Sequence, residues 1–73
     1  MPAWSKPVFS SLLSEVGWDD ETEELTVTFA KNGKTAAYKG FDEATAENLR
    51  RAPSAGSMFL NEIKPFAKDW RYI

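Results

Sequence analysis

The chain has 73 residues, 42% of them hydrophobic and 14% aromatic, which is enough for one small core and too apolar for a disordered chain. It contains no Cys and no His, which excludes zinc fingers, thiol or imidazole nucleophiles and Ser-His-Asp triads. The net charge of -2 lacks the basic excess typical of proteins that bind the nucleic-acid backbone. Composition therefore predicts a single folded domain without a metal or a cofactor.

The charged residues are unevenly distributed along the chain. Residues 1–24 hold one basic and six acidic side chains, a net of -5, whereas residues 25–73 carry a net of +3. We therefore expect one end of the fold to be acidic. No apolar run approaches the roughly 20 residues of a membrane span, and the first residues do not resemble a signal peptide. We expect a soluble, intracellular protein with no membrane partner.

The first two segments of the chain predict an arm and a strand. Residues 1–9 contain two prolines and show no periodicity, which predicts an extended N-terminal arm ahead of a single domain at 10–73. The apolar residues between positions 12 and 18 indicate a short, irregular strand. The acidic residues that begin at Asp19 predict the turn that ends this strand.

A hairpin is the strongest local prediction. Residues 25–29 alternate strictly between apolar and polar side chains, and the Asn32-Gly33 pair is typical of a two-residue type I′ turn. That loop would pair Val27 with Tyr38 and place the large apolar groups on one face of the sheet. The other face would carry small and polar side chains, suited to water or to a partner.

Helical signals occupy the second half of the chain. Asp42 is a favourable N-cap, and acidic residues early and basic residues late predict a short helix that ends near Ala52. Ser54 can cap a second helix, which Pro65 would close. The sequence thus predicts an α+β fold, in which two short C-terminal helices cover one face of a small three-stranded antiparallel sheet.

The acidic residues around the first turn are the main candidate site. They lack the central Gly and the spaced bidentate Glu of an EF-hand, and so small a domain offers little room for the cleft of a two-carboxylate hydrolase. We therefore do not expect an enzyme, and a solvated turn is the simplest interpretation. The functional alternative is that the cluster steers a partner protein into contact, with an aromatic residue of the arm as anchor. The predicted partner-binding residues are Trp4, Glu15, Asp19, Asp20, Glu21, Glu23 and Glu24.

The basic residues give a second hypothesis. They could form a basic strip beside Tyr38. A nucleic-acid base could stack on the Tyr38 ring, as in RNA-binding domains that bind bases on one face of a sheet. Tyr38 is predicted to lie on the covered face, however, and direct nucleic-acid binding is not expected at this net charge. The residues of the predicted strip are Lys31, Lys34, Lys39, Arg50 and Arg51.

Three stretches of the chain match one known pattern. Residues 10–19 read Ser-Ser-Leu-Leu-Ser-Glu-Val-Gly-Trp-Asp, similar to Ser-Ser-x-Ile-x-x-Val-Gly-Tyr-Asp. Residues 25–33 supply Leu-x-Val-x-Phe and Asn-Gly, and residues 52–63 supply Ala-Pro-Ser-x-Gly-x-x-Phe-x-x-x-Ile. On these motifs, residues 10–66 resemble the KTSC domain, a module found alone in bacterial and phage proteins and at the C-terminus of some lysyl-tRNA synthetases.

The KTSC resemblance implies an RNA-binding module. The central Tyr-x-Tyr of that family stands here as Ala36-Ala37-Tyr38, and its Val-Pro before the first helix stands as Phe41-Asp42. The absence of the first tyrosine weakens the transfer of the RNA-binding role to this chain.

The whole chain, with its length and its Trp-Arg-Tyr-Ile end, is also similar to small transcription regulators of lytic phages. That resemblance implies a partner, the N-terminal region of the β′ subunit of host RNA polymerase. It also implies an activity, inhibition of host transcription initiation together with antitermination, and a location, the cytoplasm of the bacterial host. We expect the free protein to be a monomer.

Overall fold

The structure is a computed structural model that describes residues 4–73. Five strands form one antiparallel sheet, in which each strand pairs with the next in chain order. No helix of residues 4–73 has the length and apolar character that crossing a membrane requires. The elements are β1 (Trp4–Pro7), β2 (Leu13–Asp19), β3 (Glu24–Phe29), β4 (Thr35–Tyr38), α1 (Glu43–Arg51), α2 (Ala55–Met58), a π-helical turn (Phe59–Ile63), a 3-10 turn (Lys64–Phe66) and β5 (Trp70–Tyr72).

The prediction of a three-stranded sheet is wrong, because the sheet has five strands. The segment predicted as an arm supplies β1, in which Trp4 pairs with Trp18, and the segment after the second predicted helix supplies β5, in which Tyr72 pairs with Ala36. Both added strands are short edges whose side chains are mostly exposed. β1 shows no alternating hydropathy, and the alternation in β5 spans only three residues. The α+β class is unchanged.

A bulge explains the irregular pattern of β2. Leu13 pairs with Phe29 and Glu15 pairs with Thr28, so Ser14 is an extra residue in the ladder. The extra residue breaks the alternation of faces. As a result, Leu13 and the valine three positions later are both fully buried on the core side of the sheet.

The hairpin of β3 and β4 forms where it was predicted, with a different register. Leu25 pairs with Tyr38, and Val27 pairs with Ala36, so the predicted pairing of Val27 with Tyr38 is wrong by two positions. A shift by an even number of residues keeps each side chain on its predicted face. Leu25 and Val27 are accordingly fully buried, and Tyr38 is 4% exposed.

The loop of this hairpin accounts for the register. Residues 30–33 form the loop, which is closed by hydrogen bonds from the N–H of Phe29 to the carbonyl of Lys34 and from the N–H of Gly33 to the carbonyl of Phe29. Gly33 has a φ of 71°, whereas Asn32 has no positive φ. A type I′ turn needs positive φ at both central residues, so this loop is a longer one.

Both helices begin at their predicted N-caps. Asp42 Oδ1 accepts hydrogen bonds from the N–H of Thr45 at 2.9 Å and from its hydroxyl at 2.6 Å. Ser54 Oγ accepts a hydrogen bond from the N–H of Ser57 at 3.3 Å. The helices and the π-helical turn cover one face of the sheet and complete the core. The buried core residues are Leu13, Val16, Trp18, Leu25, Val27, Ala36, Tyr38, Ala46, Leu49, Ala55, Phe59 and Ile63.

Two glycines allow close contacts between elements. A Cβ at Gly17 would lie 2.5 Å from the carbonyl oxygen of Trp4, so glycine is what lets β1 approach β2 at this point. A Cβ at Gly56 would lie 2.7 Å from Ser10 Oγ and 3.2 Å from Leu12 Cβ, where α2 packs on the segment ahead of β2. Both positions therefore require a residue without a side chain.

Candidate functional site

An aromatic groove opens between β5 and the helical turns. Trp70 stacks on Tyr38, with ring centroids 5.8 Å apart, and meets Tyr72 edge to face at 5.2 Å. Phe59 packs against Tyr38 at 5.5 Å and closes the inner end. The groove has a volume of about 290 Å³, near the lower end of the range for ligand pockets. Its lining consists of Leu12, Phe29, Tyr38, Phe59, Leu60, Lys64, Ala67, Trp70 and Tyr72.

Three large apolar side chains of the groove are half exposed. The exposed fractions are 48% for Trp70, 55% for Tyr72 and 49% for Leu60. Single exposed apolar residues are common, but a contiguous set of them around a cavity marks an interaction surface. Trp and Tyr are also the residue types enriched among the anchors of protein interfaces.

The floor of the groove is uncharged at neutral pH. Burial raises the pKa of the Tyr38 hydroxyl above its ordinary value, and the neighbouring Tyr72 raises this pKa further. Tyr38 therefore keeps its proton throughout the physiological range. The groove offers an apolar floor with a neutral hydroxyl.

Lysines surround the mouth of the groove. Lys34 Nζ lies 5.5 Å from the centroid of the Tyr72 ring, and Lys64 lines the groove itself. A second cavity of about 400 Å³ adjoins the first and shares Tyr72 and Lys64 with it, and Lys31 is part of its lining. Within residues 4–73, neither cavity is lined by Asp or Glu. This end of the sheet therefore favours a partner with negative charge.

The basic strip predicted from the sequence is divided between the two edges of the sheet. Lys34 stands over Tyr72 of β5, whereas Arg50 stands over Trp4 of β1, 5.9 Å from its ring centroid. Arg50 is also paired with Glu47 at 2.6 Å. Because β1 and β5 are opposite edges, these cations do not form one continuous surface.

The acidic residues from Asp19 to Glu24 lie at the turn between β2 and β3, whereas Glu15 lies within β2 and accepts a hydrogen bond of 3.1 Å from Ser5 Oγ. Asp19 Oδ1 accepts hydrogen bonds from the N–H groups of Glu21 at 3.0 Å and Thr22 at 3.4 Å, which hold the turn. Glu23 adopts a φ of 58°, the left-handed region that non-glycine residues rarely enter. Four of the predicted partner-binding carboxylates are exposed to solvent, namely Glu15, Asp20, Glu21 and Glu23.

Glu24 and Trp4, two further residues of the predicted site, have hydrogen-bond partners within the chain. Glu24 is 2% exposed, and its Oε1 accepts a hydrogen bond from Arg71 at 2.8 Å. Trp4 is half-buried, and its Nε1 donates a hydrogen bond of 2.9 Å to Glu43 Oε2. Both residues thus hold the fold together, and their contact with a partner stays a prediction.

The aromatic groove was not predicted from the sequence. Its exposed apolar residues, Leu60, Trp70 and Tyr72, come from a helical turn and from β5, a strand that the sequence analysis does not predict. The two aromatic residues at positions 70 and 72 are separated by one polar residue, which is the period of a strand. That spacing is the signal that could have found β5. No group of three or more carboxylates within residues 4–73 is arranged to hold a metal ion.

A five-stranded antiparallel sheet with one face covered by helices defines this protein as a small α+β domain. The KTSC domain model matches residues 9–66, and the chain belongs to the KTSC domain family. It is similar to a KTSC domain protein from Yersinia pestis, whose crystal structure aligns with a TM-score of 0.83 at 30% identity over 99% of each chain. No curated protein matches the chain.

The fold gives a physical reason for two of the family motifs. The Val-Gly-Trp motif contains Gly17, which admits β1, and the Ser-x-Gly motif contains Gly56, which admits α2. The positions of the Tyr-x-Tyr motif, Ala36 and Tyr38, are both buried. Ala36 pairs with Tyr72, which brings an aromatic residue of β5 beside the position where the motif has its first tyrosine.

Proposed function

We propose that this KTSC domain is a protein-binding module whose partner is the RNA polymerase of a bacterial host. The proposed contact is the N-terminal region of the β′ subunit, and the proposed effects are inhibition of host transcription initiation and antitermination. The choice of partner rests on the resemblance that the sequence analysis draws between this chain and phage-encoded regulators.

The half-exposed aromatic groove is the observation that carries the proposal of protein binding. Trp70, Tyr72 and Leu60 present apolar surface around a preformed cavity. Burial of such a cluster in an interface removes apolar surface from water and favours binding. The carboxylates near position 20 add a separate charged surface that acts on the rate of association.

The proposed effects require no chemistry by the domain itself. A ligand shifts a conformational equilibrium only by its difference in affinity between the states. A domain that binds the elongating form of the polymerase more tightly than the initiating form would disfavour initiation and favour read-through with a single contact. This mechanism needs one binding surface and no catalytic residue.

Capture of purified bacterial core RNA polymerase on the immobilised domain tests the proposal. We expect retention that nuclease treatment does not reduce. Leu60→Glu should weaken retention at least about tenfold, because it places a charge in the apolar groove. The matched control is Asn61→Glu, which adds the same charge at an exposed position outside the groove. Absence of retention, or its loss on nuclease treatment, would contradict the proposal.

RNA binding is the second candidate, and the position of Lys34 over Tyr72 favours it. An exposed aromatic ring with Lys31 and Lys64 near it is a combination that single-strand binding proteins use. We expect single-stranded RNA to bind no more tightly than a dissociation constant of ~100 μM at physiological salt. Submicromolar affinity that falls steeply with salt would favour this second function.

A further inference from the structure

The outer side of β5 is an open sheet edge. In the part of the chain that the structure describes, β5 pairs only with β4. The hydrogen bonds toward β4 use alternate residues: the N–H of Ile73 donates to the carbonyl of Thr35, and the N–H of Lys39 donates to the carbonyl of Asp69, both at 2.9 Å. These two hydrogen bonds determine which residues of β5 direct their backbone N–H and C=O groups toward β4.

The backbone groups of Trp70 and Tyr72 point to the open side. In an antiparallel ladder, residues that bond to one neighbour alternate with residues that face away from it. Asp69, Arg71 and Ile73 bond toward β4, so the residues between them present their N–H and C=O groups outward. The edge therefore offers two donors and two acceptors to another strand.

The two edges of the sheet differ in their protection. β1 contains Lys6 and Pro7, a charged residue and an imino acid, which are the means by which natural edges prevent strand addition. β5 contains no proline, and the charge of its Arg71 is paired with Glu24 across the sheet. The edge that carries the exposed aromatic residues therefore lacks a proline and an unpaired charge, and its short length of three residues is the protection that it keeps.

The groove beside β5 specifies the side chains of an added strand. A strand at the normal spacing of about 5 Å would place every second side chain on the face that carries Trp70 and Tyr72. The side chain next to Trp70 would enter the apolar groove beside Leu60. The side chain next to Tyr72 would lie near Lys34, which stands over that ring, and near Lys64. The first position favours an apolar residue and the second a carboxylate.

We propose that β5 accepts an extended acidic segment of a partner protein as a sixth strand of the sheet. An aromatic or branched apolar residue of the segment fills the groove at Trp70, and a carboxylate two residues away pairs with the lysines near Tyr72. This inference rests on the proposed function, since it names the surface and the kind of segment through which a protein partner binds.

Peptide titration of the ¹⁵N-labelled full chain, followed by NMR, tests the inference. The probe is a blocked heptapeptide in which one phenylalanine and two glutamates occupy alternate positions and threonine fills the rest. We expect saturable shifts of the Trp70 and Tyr72 amides at peptide concentrations up to about 1 mM, in the range of weak strand addition. Absence of such shifts, or shifts confined to other parts of the sheet, overturns the inference.

Two control peptides separate strand addition from simple filling of the groove. Methylation of the backbone nitrogens that face β5 should weaken binding at least about tenfold, because the added strand loses its donors. Replacement of both glutamates by lysine should weaken binding by a similar factor, because it reverses the charge opposite the lysines. Equal binding of either control peptide contradicts the proposed mode. So does a uridine oligonucleotide that shifts the same amides when the acidic peptide does not.

A matched pair of variants locates the charge contact. Lys64→Glu should weaken binding of the acidic peptide at least about tenfold, whereas Lys68→Glu makes the same charge change at an exposed residue outside the groove and should leave it unchanged. Equal weakening by both variants would contradict the site.

Comparison with polymerase capture separates this inference from the proposed function. Binding of the peptide without capture of polymerase would remove the proposed partner and leave the strand-addition site. Capture of polymerase without binding of the peptide would support the proposed partner and overturn the strand-addition site.

Discussion

Arg71 in β5 donates a hydrogen bond of 2.8 Å to Glu24 in β3, across the intervening strand β4. Glu24 is 2% exposed, and its second carboxylate oxygen has no hydrogen-bond partner within the described residues. A buried carboxylate is strongly unfavourable unless a positive charge compensates it. Arg71 supplies that charge and fastens β5, the strand that carries the exposed aromatic residues, to the sheet.

We expect Arg71→Met to lower the free energy of unfolding by about 1 to 3 kcal/mol, because it leaves the buried Glu24 unpaired. The guanidinium side chain is 52% exposed, so solvent screening keeps the loss below that of a fully buried pair. Glu24→Gln in the same chain should restore part of the loss, since a neutral amide is less costly to bury. Urea denaturation measures both effects, and a loss equal to that of Lys68→Met would contradict the role of the pair.

Phe59 joins the core to the groove, where it contacts Phe29 at 5.8 Å and Tyr38 at 5.5 Å. Phe59→Ala should cost about 3 to 5 kcal/mol, because it leaves a cavity in a core of few residues. A loss of that size approaches the whole stability of a domain this small. Phe66→Ala, at a residue that is 68% exposed, should change the stability by less than about 0.5 kcal/mol. Similar losses for the two variants would contradict this view of the core.

The sequence predicted those parts of the fold that local chemistry determines. Asp42 and Ser54 cap the helices as expected, and the alternation of residues 25–29 placed the correct face on the core. The two edge strands were not predicted, because their pairing depends on neighbours distant in the chain and each strand is only three or four residues long. The register of the hairpin also escaped prediction, because Asn-Gly fits more than one loop length.

The candidate site was predicted only in part, because most of its residues are brought together from distant parts of the chain. The carboxylates at 19–24 are adjacent in the chain, so their gathering at a turn was predictable. The groove, by contrast, combines Phe29, Phe59 and Trp70 from three separate elements. The inward roles of Trp4 and Glu24 depend on Glu43 and Arg71, partners that no local pattern reveals.

Asp42 gives the stability a specific dependence on pH. The hydrogen bonds from the Thr45 hydroxyl and N–H hold the pKa of Asp42 below its ordinary value. The ionised form is therefore favoured by folding, so its stabilisation is present above the ordinary pKa of an aspartate and is lost as the pH falls through the lowered pKa. Asp42→Asn keeps a good N-cap and removes the titration. The difference in Tm between the two proteins should be constant from pH 7 to about 5 and shrink below about 4. A difference that does not change with pH would contradict this role.

Trp4 should contribute to stability. Its indole N–H donates to Glu43, and Arg50 stands over its ring, so the residue ties β1 to α1. We expect Trp4→Ala to lower the free energy of unfolding by about 1 to 2 kcal/mol. Trp4→Phe should lower it less, because an aromatic ring remains beneath Arg50. Unchanged stability together with faster dissociation from polymerase would instead support the role as an interface anchor predicted from the sequence.

The acidic turn precedes β3, and Lys34 at the mouth of the groove is hydrogen-bonded to the last residue of β3, so the six residues of that strand, or roughly 20 Å, separate the two charged surfaces. A partner that fits both surfaces has a basic patch at about that distance from its acidic segment. Exposed charges act mainly on the rate of encounter, so the double variant Asp20→Lys and Glu21→Lys should slow association with polymerase and flatten its dependence on salt. Dissociation should change little, whereas Leu60→Glu should speed it.

Stopped-flow or surface-based kinetics at two or more salt concentrations measures the association and dissociation rates of these variants separately. The control is Glu62→Lys, which makes one such charge reversal at an exposed residue outside the turn. Melting curves of all variants should agree within a few degrees, because surface substitutions rarely change stability by more than about 0.5 kcal/mol. If the turn variant associates as fast as the wild type, the carboxylates do not steer the partner. The contact then depends on the aromatic groove and its lysines alone.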